Sequence, residues 1–385
     1  MQAYLLSLSF LTCTSMIQCA EIPTDYSQKL KPATMKILIT DRAEGAILEV
    51  KGRYDIFNPE NELPITSSIM GKRAAIFAEQ GGLKWGEVFP SIQQMRIVPA
   101  DAQSSVLVNG IEYRGCIEIY NIQGVLSIVN EVDIENFLKS TLSVEAPNVS
   151  EPKVLEALAI VARTNAYYLA SRSYHKQWQL KGEECNYQGY GVTLQHLGID
   201  RAIENTKHMI LTYKSQPFSA TWTEDSAGRT ANFCSIFRKQ VLAPEGVSAP
   251  MAAKDREKHH WAISLTKQEL AHLLGVQKVI SISPYLDQQS EKTYAIRLSD
   301  GTQTQDIDFF TLQKKLGRER LRSNDFEVGI KGEKIIFNGW GIGHGVGLCL
   351  YSAAKMAQKG QSVAEILSQF FPNTQLQNMR SLGHN

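Results

Sequence analysis

The chain has 385 residues, 43% hydrophobic and 21% charged, the make-up of a globular protein rather than a disordered or fibrous one. Forty Lys and Arg against 39 Asp and Glu leave a formal charge of +1. No long basic run or aromatic–basic stripe is present to track a phosphate backbone, so nucleic acid is excluded as a partner.

The first twenty residues, MQAYLLSLSFLTCTSMIQCA, carry no charged side chain and hold an apolar run, Tyr4 to Leu11, too short to span a bilayer. This predicts a secretory signal over 1–20, cleaved after Ala20, and export to the periplasm or cell envelope. A membrane enters only through an uncleaved signal anchor or through lipidation at Cys19, where Met16-Ile17-Gln18 lacks the small residues that such a site uses. Residues 21–34 then read as a short polar tether. Beyond the signal stand Cys116, Cys185, Cys234 and Cys349, too far apart for a C-x-x-C motif, and they leave one disulfide, two or none open.

From Met35 to about Asn130 apolar alternation is frequent, as in Ala46-Ile47-Leu48-Glu49-Val50 and Ile117-Glu118-Ile119-Tyr120, which predicts a β-rich N-terminal part. Asn109-Gly110 marks a hairpin turn. Ile134, Phe137, Leu138 and Leu142 then recur at helical spacing within 132–143, and Leu155, Leu158, Ala159, Ala162, Ala166 and Leu169 within 152–171. Between these two central helices lies a loop, Val144 to Ser150. Mixed strands and short helices follow, closing with a strand over 334–337, the run Gly339 to Gly347, and helices over about 348–358 and 363–371. The fold class expected is α+β: one interlocked body over 35–376 with a tail at 377–385, since neither a repeat nor a composition shift marks a boundary.

Three stretches hold residues able to do chemistry. In Gly339-Trp340-Gly341-Ile342-Gly343-His344-Gly345-Val346-Gly347 an extended backbone would put Trp340, Ile342, His344 and Val346 on one face and leave the other bare for close approach. The alternative is that these glycines relieve crowding or supply positive φ, and that His344 is structural. Glu145 adjoins Val144 and Ala146-Pro147, an apolar setting that raises a carboxyl pKa toward what a general acid needs, against the plainer reading of an exposed loop glutamate. In the small, polar run Trp222 to Thr230, Arg229 suits a carboxylate or sugar hydroxyls, and Glu224 with Asp225 an acidic pair, unless the run is a solvated turn.

The stretch GWGIGHGVGLCLYSAAKMAQKGQSVAEILSQFFPNTQL closely resembles the C-terminal signature of the SpoIID/LytB family, the stage II sporulation protein D and amidase-enhancer group. In the same order, VLEALAIVARTNA at 154–166 is similar to that family's ARTYA helix, and EDSAGRTANF at 224–233 to its GGRT loop. The resemblance extends from about Met35 to Leu376. It implies a peptidoglycan-binding α+β protein and, for the sporulation branch, a lytic transglycosylase that cuts glycan strands stripped of stem peptides, between N-acetylmuramic acid and N-acetylglucosamine.

By the same resemblance Glu145, in Glu145-Ala146-Pro147 where the family has E-M-P, is the catalytic residue. Arg163, Gly228, Arg229, Thr230, Gly343, His344 and Gly345 fall in the matched motifs as substrate contacts, with Trp340 beside them for ring stacking. No cofactor is expected, and no zinc, because Thr223 and Ser226 stand where zinc-binding members have histidine and cysteine. Ser150-Glu151 replaces a usual Trp-Pro, Asn165 a tyrosine, and Leu158 and Leu350 glutamines, so substrate contacts are expected to differ. The enhancer branch supplies a rival reading, a non-catalytic glycan binder whose partner is a cell-wall amidase. A hydrolase would instead need a second carboxylate, about 5–5.5 Å away if retaining or about 6.5–9.5 Å if inverting, which Glu224 or Asp225 could supply.

Overall fold

A computed structural model describes residues 34–101, 104–172 and 177–379. The signal and tether expected at 1–34 thus lie, but for Thr34, outside the described residues, as does most of the tail. The described residues belong to one compact unit.

The N-terminal alternation becomes two antiparallel-dominated sheets. One has seven strands, in the order Leu180–Lys181, Thr34–Ala43, Val125–Asp133, Cys116–Ile122, Gln94–Pro99, Tyr54–Phe57 and Pro64–Ser68. The other has six, in the order Ile111–Tyr113, Ser105–Val108, Gly45–Lys51, Lys72–Glu79, Gly82–Trp85 and Glu87–Pro90. Alternate residues, among them Ile37, Ile97, Ile117 and Ile119 from the first sheet and Leu48, Ile76 and Trp85 from the second, share one apolar core, as a period of two requires. The Asn109-Gly110 hairpin is present, both residues at positive φ (50° and 84°).

Helix α1, Ile134–Glu145, starts at Asp133, whose side chain accepts the Asn136 N–H. Its buried stripe is the one the spacing picks out, Ile134, Phe137, Leu138 and Leu142. The helix runs two residues further than expected, so Glu145 is its last residue rather than part of the loop; Pro147 follows and disfavours continuation. Helix α2, Pro152–Arg172, is buried on nearly every face, which explains its continuous apolar character, and it packs on helix α3, Leu197–Asn205.

The single-body expectation needs refinement, because a second hydrophobic core lies within the unit. It is built from Trp261, Ile263, Leu265, Leu270, Leu312, Phe326 and Phe337, among others. Strand Lys334–Trp340 lies central in a three-stranded antiparallel sheet between His260–Thr266 and Asp325–Lys331. The chain then returns to the first core: Leu348–Cys349 pairs parallel with Trp222–Thr223, helices Leu350–Gln358 and Val363–Phe370 contribute Ala353, Ile366 and Phe370, and Thr374–Asn378 pairs with Met209–Tyr213. That last strand places 377 and 378 in the body, not the tail.

Candidate active site

Glu145 ends α1 with its side chain open to solvent, yet enough protein surrounds the carboxyl that desolvation raises its pKa above the ordinary carboxylate value. Two groups oppose the shift: the Asn186 amide, which donates to Oε1 at 3.4 Å, and the positive charge of Arg318. Arg318 acts equally on His344, some 200 residues from Glu145 in sequence, whose imidazole is driven down to about 4 first by burial and then by this guanidinium. His344 packs edge-on against Phe237 (5.1 Å) and near Phe310 (6.4 Å), and its Nδ1 accepts the Val346 N–H at 3.2 Å. It is therefore a neutral, oriented imidazole at pH 7. Glu145 and His344 thus share Arg318 as a neighbour, which neither motif reveals.

The extended reading of the glycine run stops at Trp340. Gly341, Gly343, Gly345 and Gly347 have φ of 77°, 98°, 67° and 79°, so the loop turns at every second residue and the four side chains between them do not line one face. Its bare backbone faces the protein itself. Gly345 N–H donates to Thr223 Oγ1 (3.1 Å), Gly345 O accepts from Ala231 N–H (2.7 Å), and Gly343 N–H donates to Arg322 O (2.8 Å). A Cβ on Gly345 would lie 2.5 Å from Cδ and Cε of Lys292, and one on Gly347 2.0 Å from Thr221 O. Close approach is real, but the approaching partner is the 221–231 segment and Lys292 rather than a ligand.

Beneath this contact runs an ion network. Fully buried Lys292, its pKa lowered by desolvation, donates to Ser226 O (2.9 Å) and to Asp325 (2.6 Å). Asp325 also receives both terminal nitrogens of Arg256, which donates to Ala227 O (2.8 Å) and lies 4.5 Å from the Trp340 ring centre. Trp340 donates its indole N–H to Glu257 (3.1 Å). Asp225 is buried, receiving the Ala227 N–H on one oxygen while its other oxygen bonds His259 Nδ1. With both oxygens engaged it is not a free second carboxylate; Glu224, by contrast, is exposed.

Two expected contacts need correction. Arg163 is 0% exposed and bonds Glu135, Ile203 O and Met209 O, so it braces helices rather than meeting a ligand. Thr230 is buried and exchanges hydrogen bonds with Val247. Gly228 (φ 116°) turns the chain under Ala253, whereas Arg229 is exposed with no side-chain partner among the described residues. Thr223 secures the glycine loop, and Ser226 N–H points at the Cys349 thiol (3.4 Å). Cys116, Cys185, Cys234 and Cys349 are free thiols. Sequence reasoning missed Asn186, Arg318, His259 and Lys292, none of which carries a local pattern.

An α+β body with an accessible, pKa-raised glutamate at a helix end and a glycine loop opposite defines the class. The family model described as "Stage II sporulation protein", SpoIID, matches residues 123–213, which run from the strand before α1 through Glu145 and Arg163 to Tyr213. An uncharacterized protein of Chlamydia muridarum (strain MoPn / Nigg) is 34% identical over 184 residues, 47% of this chain and 64% of that protein. The chain thus spans less than two thirds of that relative. Stage II sporulation protein D of Bacillus subtilis (strain 168) is 27% identical over 267 residues, 64% of this chain and 75% of that protein. The Amidase enhancer of the same organism is 23% identical over 295 residues, 62% of this chain and 40% of that protein. On these matches the chain is a relative of the SpoIID/LytB family.

Proposed function

We propose that the protein acts in the cell envelope on peptidoglycan, cutting peptide-stripped glycan strands by lytic transglycosylation with Glu145 as acid and base in turn. The observation that carries this reading is Glu145 itself: solvent reaches it, desolvation keeps its proton to higher pH than an ordinary glutamate, and it sits in the family-matched region. Protonated Glu145 gives its proton to the glycosidic oxygen, releasing the N-acetylglucosamine 4-hydroxyl. The resulting carboxylate takes the proton of the muramic 6-hydroxyl as that oxygen closes on C1, forming the 1,6-anhydro ring and restoring the acid. No water is consumed and no second carboxylate is required, which accords with Asp225 being engaged by His259. Mass spectrometry of digested peptide-stripped glycan tests the reading: anhydro ends are expected, and ends carrying an added water would replace the lyase by a hydrolase.

The name of the Amidase enhancer relative favours a second reading, a glycan binder that stimulates a wall amidase. Retained pelleting on sacculi with no cleavage of intact or peptide-stripped glycan by the pure protein would favour it.

A further inference from the structure

Arg318 follows helix Phe309–Leu316 in a turn that leaves its backbone little freedom. Gly317, at φ 89°, donates its N–H to Gln313 O (2.8 Å); Arg320 and Leu321 both return N–H groups to Gly317 O (3.1 and 3.0 Å). Leu321 is fully buried, its carbonyl accepting the Gln313 amide (2.8 Å), and Arg322 O accepts from Gly343. The turn is thereby joined to the glycine loop beside His344. From this rigid base the Arg318 side chain extends into solvent with no hydrogen bond or ion pair among the described residues. Its charge nonetheless reaches Glu145 and His344. Most other cations around these loops are spent, Arg256 and Lys292 on Asp325 and Lys258 on Asp255.

An unspent guanidinium next to a general acid is a recognition group for a planar anion, since its fork of donors matches a carboxylate. Muramic acid supplies one only when its lactyl carboxyl is free; a stem peptide converts that carboxyl to an uncharged amide. We propose that Arg318 is a specificity-determining residue of the Glu145 site, binding the free lactyl carboxylate of a peptide-stripped muramic acid. The inference rests on the glycan reading above for the identity of the ligand, and on the Glu145–His344–Arg318 cluster for its place. Binding also has a chemical consequence. The bound anion offsets the charge that pulls the Glu145 pKa down, so the correct substrate helps Glu145 stay protonated until it delivers its proton.

The test uses fluorescently labelled glycan strands freed of stem peptides, with lactyl carboxyls either left free or converted to methylamides, and measures anisotropy with the full chain. The wild type should bind free-carboxylate strands about fivefold more tightly than methylamide strands, the order expected for an exposed charge pair, and the ratio should shrink as salt rises. Arg318→Gln should bring that ratio to one while leaving methylamide binding unchanged, and Arg318→Lys should keep part of it. An undiminished preference in Arg318→Gln, or no preference in the wild type, overturns the proposal. If the preference follows Arg318 but the wild type yields no anhydro ends, the lyase reading fails and the carboxylate assignment stands.

Discussion

His344 connects local chemistry to stability. Its folded pKa of about 4 lies below the 6.5 of a free imidazole, so between these values the unfolded chain binds more protons than the folded one. At pH 7 both states are neutral and the group contributes nothing; as pH falls through 6.5 toward 4, stability is lost, by up to about 3 kcal/mol. Urea denaturation across that window should show a slope that His344→Gln flattens, and an unchanged slope would mean the imidazole is not held neutral by its surroundings. Gly345→Val is a second local test. The left-handed φ of 67° costs a β-branched residue about 1–3 kcal/mol, and its Cβ must also displace the buried Lys292 stem. The variant should unfold at clearly lower denaturant; wild-type stability would show that the loop has room to relax.

Arg163 decides how the helices around the site are joined. From the middle of α2 its guanidinium reaches Glu135 in the first turn of α1 (2.7 Å), the Ile203 carbonyl of α3 (3.2 Å) and Met209 O at the start of a strand (3.1 Å). These bonds satisfy a charge that would otherwise be buried alone. Arg163→Ala should therefore cost about 3–5 kcal/mol, because Glu135 and several carbonyls lose their partner together. Equilibrium unfolding checks it. A loss below about 1 kcal/mol with sharply weakened glycan binding would instead return Arg163 to the substrate. The motif marked this position correctly as special, but an arginine in a sequence looks the same whether it faces a sugar or a core.

Across the whole molecule, what the sequence made legible is what depends on near neighbours. The α1 stripe, the Pro152 start of α2 and the Asn109-Gly110 hairpin all follow from periodicity or turn chemistry within a few residues. The glycine run was readable only as a choice between a bare face and crowded turns, because which surface lies against it, Thr221 to Ala231 and Lys292, is set by chain far away. The same holds for Asp225 with His259 and for Glu145 with Arg318: the pairing arises when the second core, inserted between two parts of the first, folds back beside α1. Glu145 itself was placed by its motif and its apolar neighbours, though as a loop residue rather than a helix end.

Glu145→Gln bears most directly on the catalytic account. Ionising a carboxyl whose folded pKa is raised costs stability above that pKa, so at neutral pH the uncharged glutamine should unfold no earlier than the wild type and perhaps, from the sign of the shift, later. Glycan pelleting should persist. Cleavage of peptide-stripped strands, followed by the rate of anhydro-end formation, should fall by about 10²–10⁴, the usual contribution of a general acid. A variant that cleaves within about threefold of the wild-type rate would contradict the account, since so small a loss is incompatible with Glu145 delivering the proton.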